Sequence, residues 1–107
     1  MSKQITFTFE DKDYTLEYTR RTVRQMEEAG FISSDIGVRP MTLLPQMFAG
    51  AFLAHHRFTK QDVIDRIYAA MPNKEDLINK LAEMYNDPIE TLMDEPTEGN
   101  VKWNASW

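Results

Sequence analysis

Apolar and polar side chains alternate over two short segments near the beginning of the chain. The apolar members are Ile5, Phe7 and Phe9 in the first segment, and Tyr14, Leu16 and Tyr18 in the second. A period of two is typical of β-strands that bury one face. If Asp11-Lys12 forms a two-residue turn, Phe9 faces Tyr14 and all six apolar side chains share one face. The pattern therefore predicts an N-terminal β-hairpin.

Helical spacing of apolar residues begins directly after this hairpin. A first helix is predicted over Thr19–Ala29, because Gly30 is well suited to the position that follows a helix. A second helix, apolar on most sides, is predicted from Thr42 as its N-cap to about Arg57. We interpret this second helix as the central core helix, in which the small residues 49–51 let a neighbouring element approach closely.

Further helices are predicted in the second half of the chain. Thr59 begins the first of them, and Asn73 caps the next. Asp87-Pro88 is then expected to provide the N-cap and first residue of a last short helix. Together with the hairpin, these segments predict an α+β fold. An N-terminal β-hairpin is followed by a bundle of four to five helices, as one domain over residues 1–93.

The C-terminal tail, residues 94–107, contains both tryptophans of the chain, Trp103 and Trp107. From residue 101 onwards, apolar and polar residues alternate again, which is typical of a strand. The tail could fold back as a third strand on its own hairpin, or be donated to a neighbouring subunit or partner. Disorder is the third possibility. If the strand is donated, both tryptophans are candidate partner-binding residues.

The distribution of charge limits the choice of partner. The chain of 107 residues has a formal net charge of −5. Residues 1–60 carry eight basic and seven acidic side chains, whereas residues 61–107 carry four and ten. An acidic half repels phosphate backbones, so nucleic-acid binding is not expected. The longest strongly apolar stretch is too short to cross a membrane, and the N-terminus lacks the pattern of an export signal, so we expect a cytoplasmic protein.

Three arginines, Arg20, Arg21 and Arg24, stand at the beginning of the first predicted helix. Positive charges at this end oppose the helix dipole, so their position calls for another explanation. They either pair with the acidic second half of the same chain or form a basic patch that faces a partner. The second interpretation makes all three candidate partner-binding residues.

No residue pattern typical of catalysis or of cofactor binding is visible in the sequence. The chain has no cysteine, which excludes thiolate zinc sites and cysteine nucleophiles. His55 and His56 are adjacent and would point about 100° apart on a helix, whereas metal-binding helices place two histidines four residues apart. We interpret them as side chains that complement the dipole at the end of the core helix. The sequence thus predicts a non-enzymatic interaction protein with no metal or cofactor.

The order of these elements resembles the small tail-assembly chaperones of long-tailed, siphovirus-type bacteriophages and prophages. The resemblance covers essentially the whole chain. It rests on the hairpin ITFTFEDKDYTLEYT, the helix RRTVRQMEEAGF, the core segment LLPQMFAGAFLAHH, an acidic helical second half and the closing GNVKW. It implies a protein of the host cytoplasm that coats the phage tape-measure protein during tail assembly and helps recruit the tail-tube protein.

The resemblance also has implications for products and sites. In that family a longer product is often made by ribosomal frameshifting, and there are no catalytic residues to carry over. A homo-oligomer is possible. The main alternative is a structural head–tail adaptor or tail completion protein. A DNA-binding prophage regulator is a further alternative, which the acidic balance disfavours.

Overall fold

The computed structural model describes residues 3–95 and 99–107, and it confirms the predicted α+β class. A β-hairpin comes first, and helices make up most of the remaining described chain. The elements are β1 (Ile5–Phe9), β2 (Lys12–Leu16), α1 (Arg20–Glu28), a short 3-10 turn (Ser33–Asp35), α2 (Pro40–Gly50), α3 (Gln61–Ala70) and α4 (Lys74–Leu92). In the described ranges no helix combines the length and apolarity needed to cross a membrane.

The hairpin forms with a register different from the predicted one. Phe7, rather than Phe9, lies opposite Tyr14, and the turn consists of Glu10 and Asp11. Both turn residues have positive φ angles, 50° and 64°, which a type I′ turn requires. The observed pairing stacks the rings of Phe7 and Tyr14 with their centroids 5.3 Å apart. Because the pairing moves by two residues, the same side chains still share one face.

Helix α1 has well-formed ends, close to the predicted bounds. At its beginning, the Thr19 hydroxyl accepts the backbone N–H of Thr22, and the Thr22 hydroxyl accepts that of Thr19. At its end, Gly30 has a φ of 97°. The Gly30 N–H donates to the Glu27 carbonyl and the Phe31 N–H donates to the Met26 carbonyl, at 3.0 and 2.9 Å. This pair of hydrogen bonds is the Schellman motif, so glycine is needed at position 30.

Helix α2 is shorter than predicted: it ends at Gly50, and residues 51–55 form turns. Residues between β2 and α1 donate hydrogen bonds to backbone carbonyls that a longer α2 would use for its own helical hydrogen bonds. The Ala51 carbonyl accepts the N–H of Glu17 at 3.1 Å, and the Met47 carbonyl accepts the Tyr18 hydroxyl. The helix also begins at Pro40 rather than after a Thr42 cap.

The predicted close approach at the small residues of α2 is confirmed. A Cβ atom built on Gly50 would lie 2.4 Å from the sulfur of Met26. No atom pair of this kind approaches so closely without displacement, so the side chain of α1 fits only because residue 50 has no Cβ. The contact holds α1 against the end of α2.

Helices α3 and α4 also depart from the predicted boundaries. Lys60 rather than Thr59 is the N-cap of α3. Asn73 is the N-cap of α4, as predicted, although its backbone is left-handed and its side chain makes no capping hydrogen bond. The predicted break at Asp87-Pro88 is wrong, because α4 continues through Pro88 to Leu92. Within the described residues the bundle therefore has four α-helices and not five.

The core lies between the hairpin and the helices. Its least exposed large side chains are Leu16, Met47, Phe48, Phe52, Ile67 and Leu81. Phe52 packs edge-on against Tyr14 of the hairpin and against Phe48 of α2, with ring centroids 5.9 and 5.2 Å apart. Phe52 therefore joins the hairpin to the helical bundle.

The C-terminal tail does not add a strand to the hairpin. Residues 99–107 contain no helix or strand, and the sheet in the described part of the chain consists of β1 and β2. Trp103 is 80% exposed and Trp107 is fully exposed. Of the three alternatives, the intramolecular third strand is therefore not formed in the described residues, which leaves donation to another chain and disorder.

Candidate interaction surfaces

Arg20 binds the end of α4. Its Nη2 donates to the backbone carbonyl of Thr91 at 2.8 Å. The last turn of a helix has carbonyls without intrahelical partners and the negative end of the dipole, so a guanidinium there is stabilising. Arg20 thus contacts the second half of the chain, as one interpretation expected, but through a carbonyl rather than a carboxylate.

Arg21 and Arg24 are exposed on α1, as Arg20 is, but they differ from Arg20 in their contacts. Across residues 3–95 and 99–107, neither has a carboxylate within the 4.0 Å of an ion pair; the ion pairs found there are Arg66 with Glu10 and His55 with Glu17. The basic charge of Arg21 and Arg24 is therefore directed to the surface, where a partner could meet it.

A groove runs between α1 and α4 and has a volume of about 220 Å³. We call it the α1–α4 groove. Its lining residues are Arg20, Val23, Arg24, Glu27, Pro88, Ile89 and Leu92. Ile89 is 42% exposed and Leu92 is 63% exposed. The groove therefore has an apolar floor that is reachable from solvent, with two arginines at its border.

The open floor lies where the beginning of α1 meets the end of α4. The hydrogen bond from Arg20 to the Thr91 carbonyl places these two helix ends side by side. Leu92 continues the buried stripe of Leu81 and Met84, but little covers it there. The sequence predicted a separate short helix that begins at Asp87-Pro88. In the sequence, the apolar stripe of α4 continues at helical spacing through Pro88. This continuity is the signal that could have predicted one long helix with an exposed end.

A second cavity, of about 370 Å³, lies between the end of α1, α2 and the beginning of α3. Met26, Phe52 and Ile64 contribute apolar surface to it, and Gln25 and Gln61 contribute amides. Its lining contains no carboxylate, and Nε2 of His56, the imidazole in the lining, accepts the backbone N–H of Thr15. The cavity can accept an apolar side chain.

The two histidines connect the chain after α2 to strand β2 and to Glu17, the residue that follows this strand. His55 Nε2 lies 2.7 Å from Glu17 Oε1, and His56 Nε2 accepts the backbone N–H of Thr15 at 2.9 Å. Burial, and then the charges of Lys12 and His55, lower the pKa of His56. A lowered pKa keeps the ring neutral, as its role as acceptor requires.

The predicted role of this pair in complementing the helix dipole is wrong, since both residues lie beyond the end of α2. Their hydrogen bonds instead hold the chain after α2 against the hairpin. In the described residues, no group of three or more metal-ligating side chains is placed to hold a metal ion.

Comparison with known protein families gives one match, which spans the whole chain. The family model for DUF5055, described as a domain of unknown function, matches residues 1–107. The chain belongs to the DUF5055 family. The comparison with curated proteins found no match, and neither did the comparison with solved structures. The family description assigns no activity, so the surfaces of this DUF5055 protein carry the functional argument.

The predicted partner-binding residues of the DUF5055 chain fall on two separate surfaces. Arg20 and Arg24 border the α1–α4 groove, and Arg21 lies on the neighbouring surface of α1. Trp103 and Trp107 lie in the exposed tail. The groove and the tail therefore have to be considered as different binding elements.

Proposed function

We propose that this DUF5055 protein is a phage tail-assembly chaperone, which binds the tape-measure protein and helps recruit tail-tube subunits in the host cytoplasm. The chaperone binds and shields a helical partner and catalyses no reaction. The supporting observation is the α1–α4 groove, whose exposed apolar floor at Ile89 and Leu92 is bordered by Arg20 and Arg24.

The chemistry of the groove suits an amphipathic helix. Such a helix places apolar side chains at positions i, i+3, i+4 and i+7, which can lie along the floor next to Leu92. Burying a side chain of that size contributes about 1.5–3 kcal/mol. Acidic residues beside the apolar stripe would meet Arg24, which favours the correct orientation and faster association.

The acidic charge of the rest of the chain fits the same role. A long, largely helical tape-measure protein has to remain soluble until the tube surrounds it. A bound domain with a net charge of −5 adds charge of one sign along the filament, which opposes self-association. Arg20 and Arg24 provide positive charge at the groove itself.

Co-expression with the tape-measure protein of the same phage or prophage tests the proposal. We expect the wild-type chain to raise the soluble fraction of the tape-measure protein and to co-purify with it. Leu92→Asp and Arg24→Glu should each weaken the complex about tenfold or more, which corresponds to about 1.4 kcal/mol. Val38→Asp and Arg39→Glu are matched controls, because both residues are exposed and lie outside the groove.

Two results would contradict the proposal. One is a tape-measure protein that remains insoluble and forms no complex with the wild-type chain. The other is equal binding by groove and control variants, which would remove the groove from the interface. Purified virions separate the proposal from the structural adaptor alternative, because an adaptor is retained in the particle whereas an assembly chaperone is absent.

A further inference from the structure

We propose that the outer edge of β1 is the docking site for residues 101–107 of a second copy of this chain. The donated tail adds a third strand to the hairpin, and the exchange is reciprocal. This inference rests on the hairpin and the tail alone and does not depend on the proposed function.

The two edges of the hairpin differ in their backbone partners. At the outer edge of β2, the N–H groups of Thr15 and Glu17 donate to His56 Nε2 and to the Ala51 carbonyl. At the outer edge of β1, the alternation of the ladder places the N–H groups of Thr6 and Thr8 towards solvent. Among the described residues, neither donates to another backbone group outside the hairpin. The edge of β2 is therefore covered, while that of β1 is open.

The apolar face of the hairpin is also incompletely covered on the β1 side. Tyr14 and Leu16 of β2 are buried in the core, whereas Ile5, Phe7 and Phe9 of β1 are only half-buried. Apolar surface thus remains accessible beside the open edge. A third strand with large apolar side chains on the same face would cover both the free N–H groups and this surface.

The tail has the side chains that this position requires. Val101, Trp103, Ala105 and Trp107 alternate with polar residues, and the seven residues 101–107 are sufficient to pair with the five of β1. With the tryptophans beside Phe7, Lys102 lies on the opposite face, which carries the polar side chains of Thr6 and Thr8. The length of the tail and its alternation of apolar and polar side chains therefore agree with this position.

Among the described residues of the isolated chain, the tail pairs with no strand and the outer edge of β1 receives none. Trp103 and Trp107 remain exposed, and the Cα radius of gyration is 16.4 Å, compared with about 13 Å for a compact chain of this length. A reciprocal exchange fills both positions at once, because each copy gives one tail and receives one. The resulting two-fold dimer is closed, because the β1 edge of each copy is paired with the tail of the other.

The mass of the full-length chain in solution provides the first test. Size-exclusion chromatography with light scattering should give twice the chain mass of 12.5 kDa. Deletion of residues 101–107 should give the monomer mass. The shortened chain should melt at the same temperature as the full-length chain in its monomeric form. Thr6→Pro should do the same, because proline removes the N–H group and is tolerated at an edge strand. Thr6→Ala keeps the N–H group and should remain dimeric.

Mixing the two defective chains provides the decisive test. The chain without residues 101–107 has an intact β1 edge, and the Thr6→Pro chain has an intact tail. Each should be monomeric alone, whereas the mixture should contain a heterodimer with one chain of each kind. The tail deletion tests the proposal even if Thr6→Pro fails to fold.

Three results would overturn the proposal. The full-length chain could be monomeric at every concentration tested, or the dimer could persist after deletion of the tail. A monomeric full-length chain that loses thermal stability on tail deletion would show an intramolecular strand instead. If deletion of the tail abolishes the dimer but leaves binding of the tape-measure protein intact, the β1 edge and the α1–α4 groove are separate binding surfaces.

Discussion

Replacing Phe52 by alanine removes the ring that joins the hairpin to the helical bundle. Phe52 is 1% exposed and contacts the rings of Tyr14 and Phe48. Loss of a buried phenylalanine forfeits a transfer free energy of about 1.5–3 kcal/mol. Each 50 Å³ of cavity that persists adds about 1.2 kcal/mol, at roughly 24 cal/mol per Å³. We therefore expect a loss of about 3–5 kcal/mol, a large part of the 5–15 kcal/mol typical of a single domain.

Urea unfolding followed by circular dichroism at the helix band measures this loss. Phe58→Ala is a matched control, because it deletes the same side chain from a position that is 90% exposed. The control should change the free energy of unfolding by less than about 0.5 kcal/mol. Phe52→Leu, which keeps most of the volume, should cost less than Phe52→Ala.

A loss below about 1 kcal/mol for Phe52→Ala, at an unchanged denaturant slope, would refute the reasoning. It would mean that the ring is not enclosed between the hairpin and α2. An equal loss for Phe52→Ala and Phe58→Ala would contradict the assigned burial of both residues.

Three further changes test other parts of the fold. Because the pKa of His56 is lowered in the folded chain, the unfolded chain binds more protons as the pH falls through 6.5, so stability should decline there. His56→Gln, which keeps an acceptor, should flatten the stability profile between neutral pH and the folded pKa, and an unchanged slope would exclude this role. Tyr18→Phe leaves the buried Met47 carbonyl without its side-chain donor and should cost about 1–3 kcal/mol by thermal unfolding; a neutral effect would show that the carbonyl finds another donor. Gly30→Ala forces a Cβ into a φ of 97° and should cost about 1–2 kcal/mol in urea, whereas no loss would mean that the motif relaxes.

The sequence predicted the elements of the fold better than their ends. The hairpin and the helices are where the periodicity places them, because burial of one face determines that periodicity. The turn was misplaced because Glu10 and Asp11 have no glycine to mark positive φ. The end of α2 depends on Glu17 and Tyr18, which are distant in sequence, and no local pattern at Gly50 reveals those contacts.

The candidate surfaces were only partly predictable for the same reason. The sequence shows three arginines at a helix N-terminus, which is an unusual position, but their different contacts arise from the packing of α4 against α1. Pro88 suggested a break, although tertiary packing keeps the helix continuous through it. The alternation of the tail was visible in the sequence, whereas the open edge of β1 became visible only when the partners of β2 were known.

The position of the two tryptophans separates the optical signals of this protein. Both lie among the exposed residues 99–107, while Tyr14, Tyr18 and Tyr85 are buried in the core. Tryptophan emission of the isolated chain should therefore stay at long wavelength whether the core is folded or unfolded, and a fluorescence melt read at that wavelength would miss the transition. The same emission should shift to shorter wavelength whenever the tail is covered. The chain thus has an intrinsic fluorophore for association in its tail and a separate set of chromophores for folding in its core.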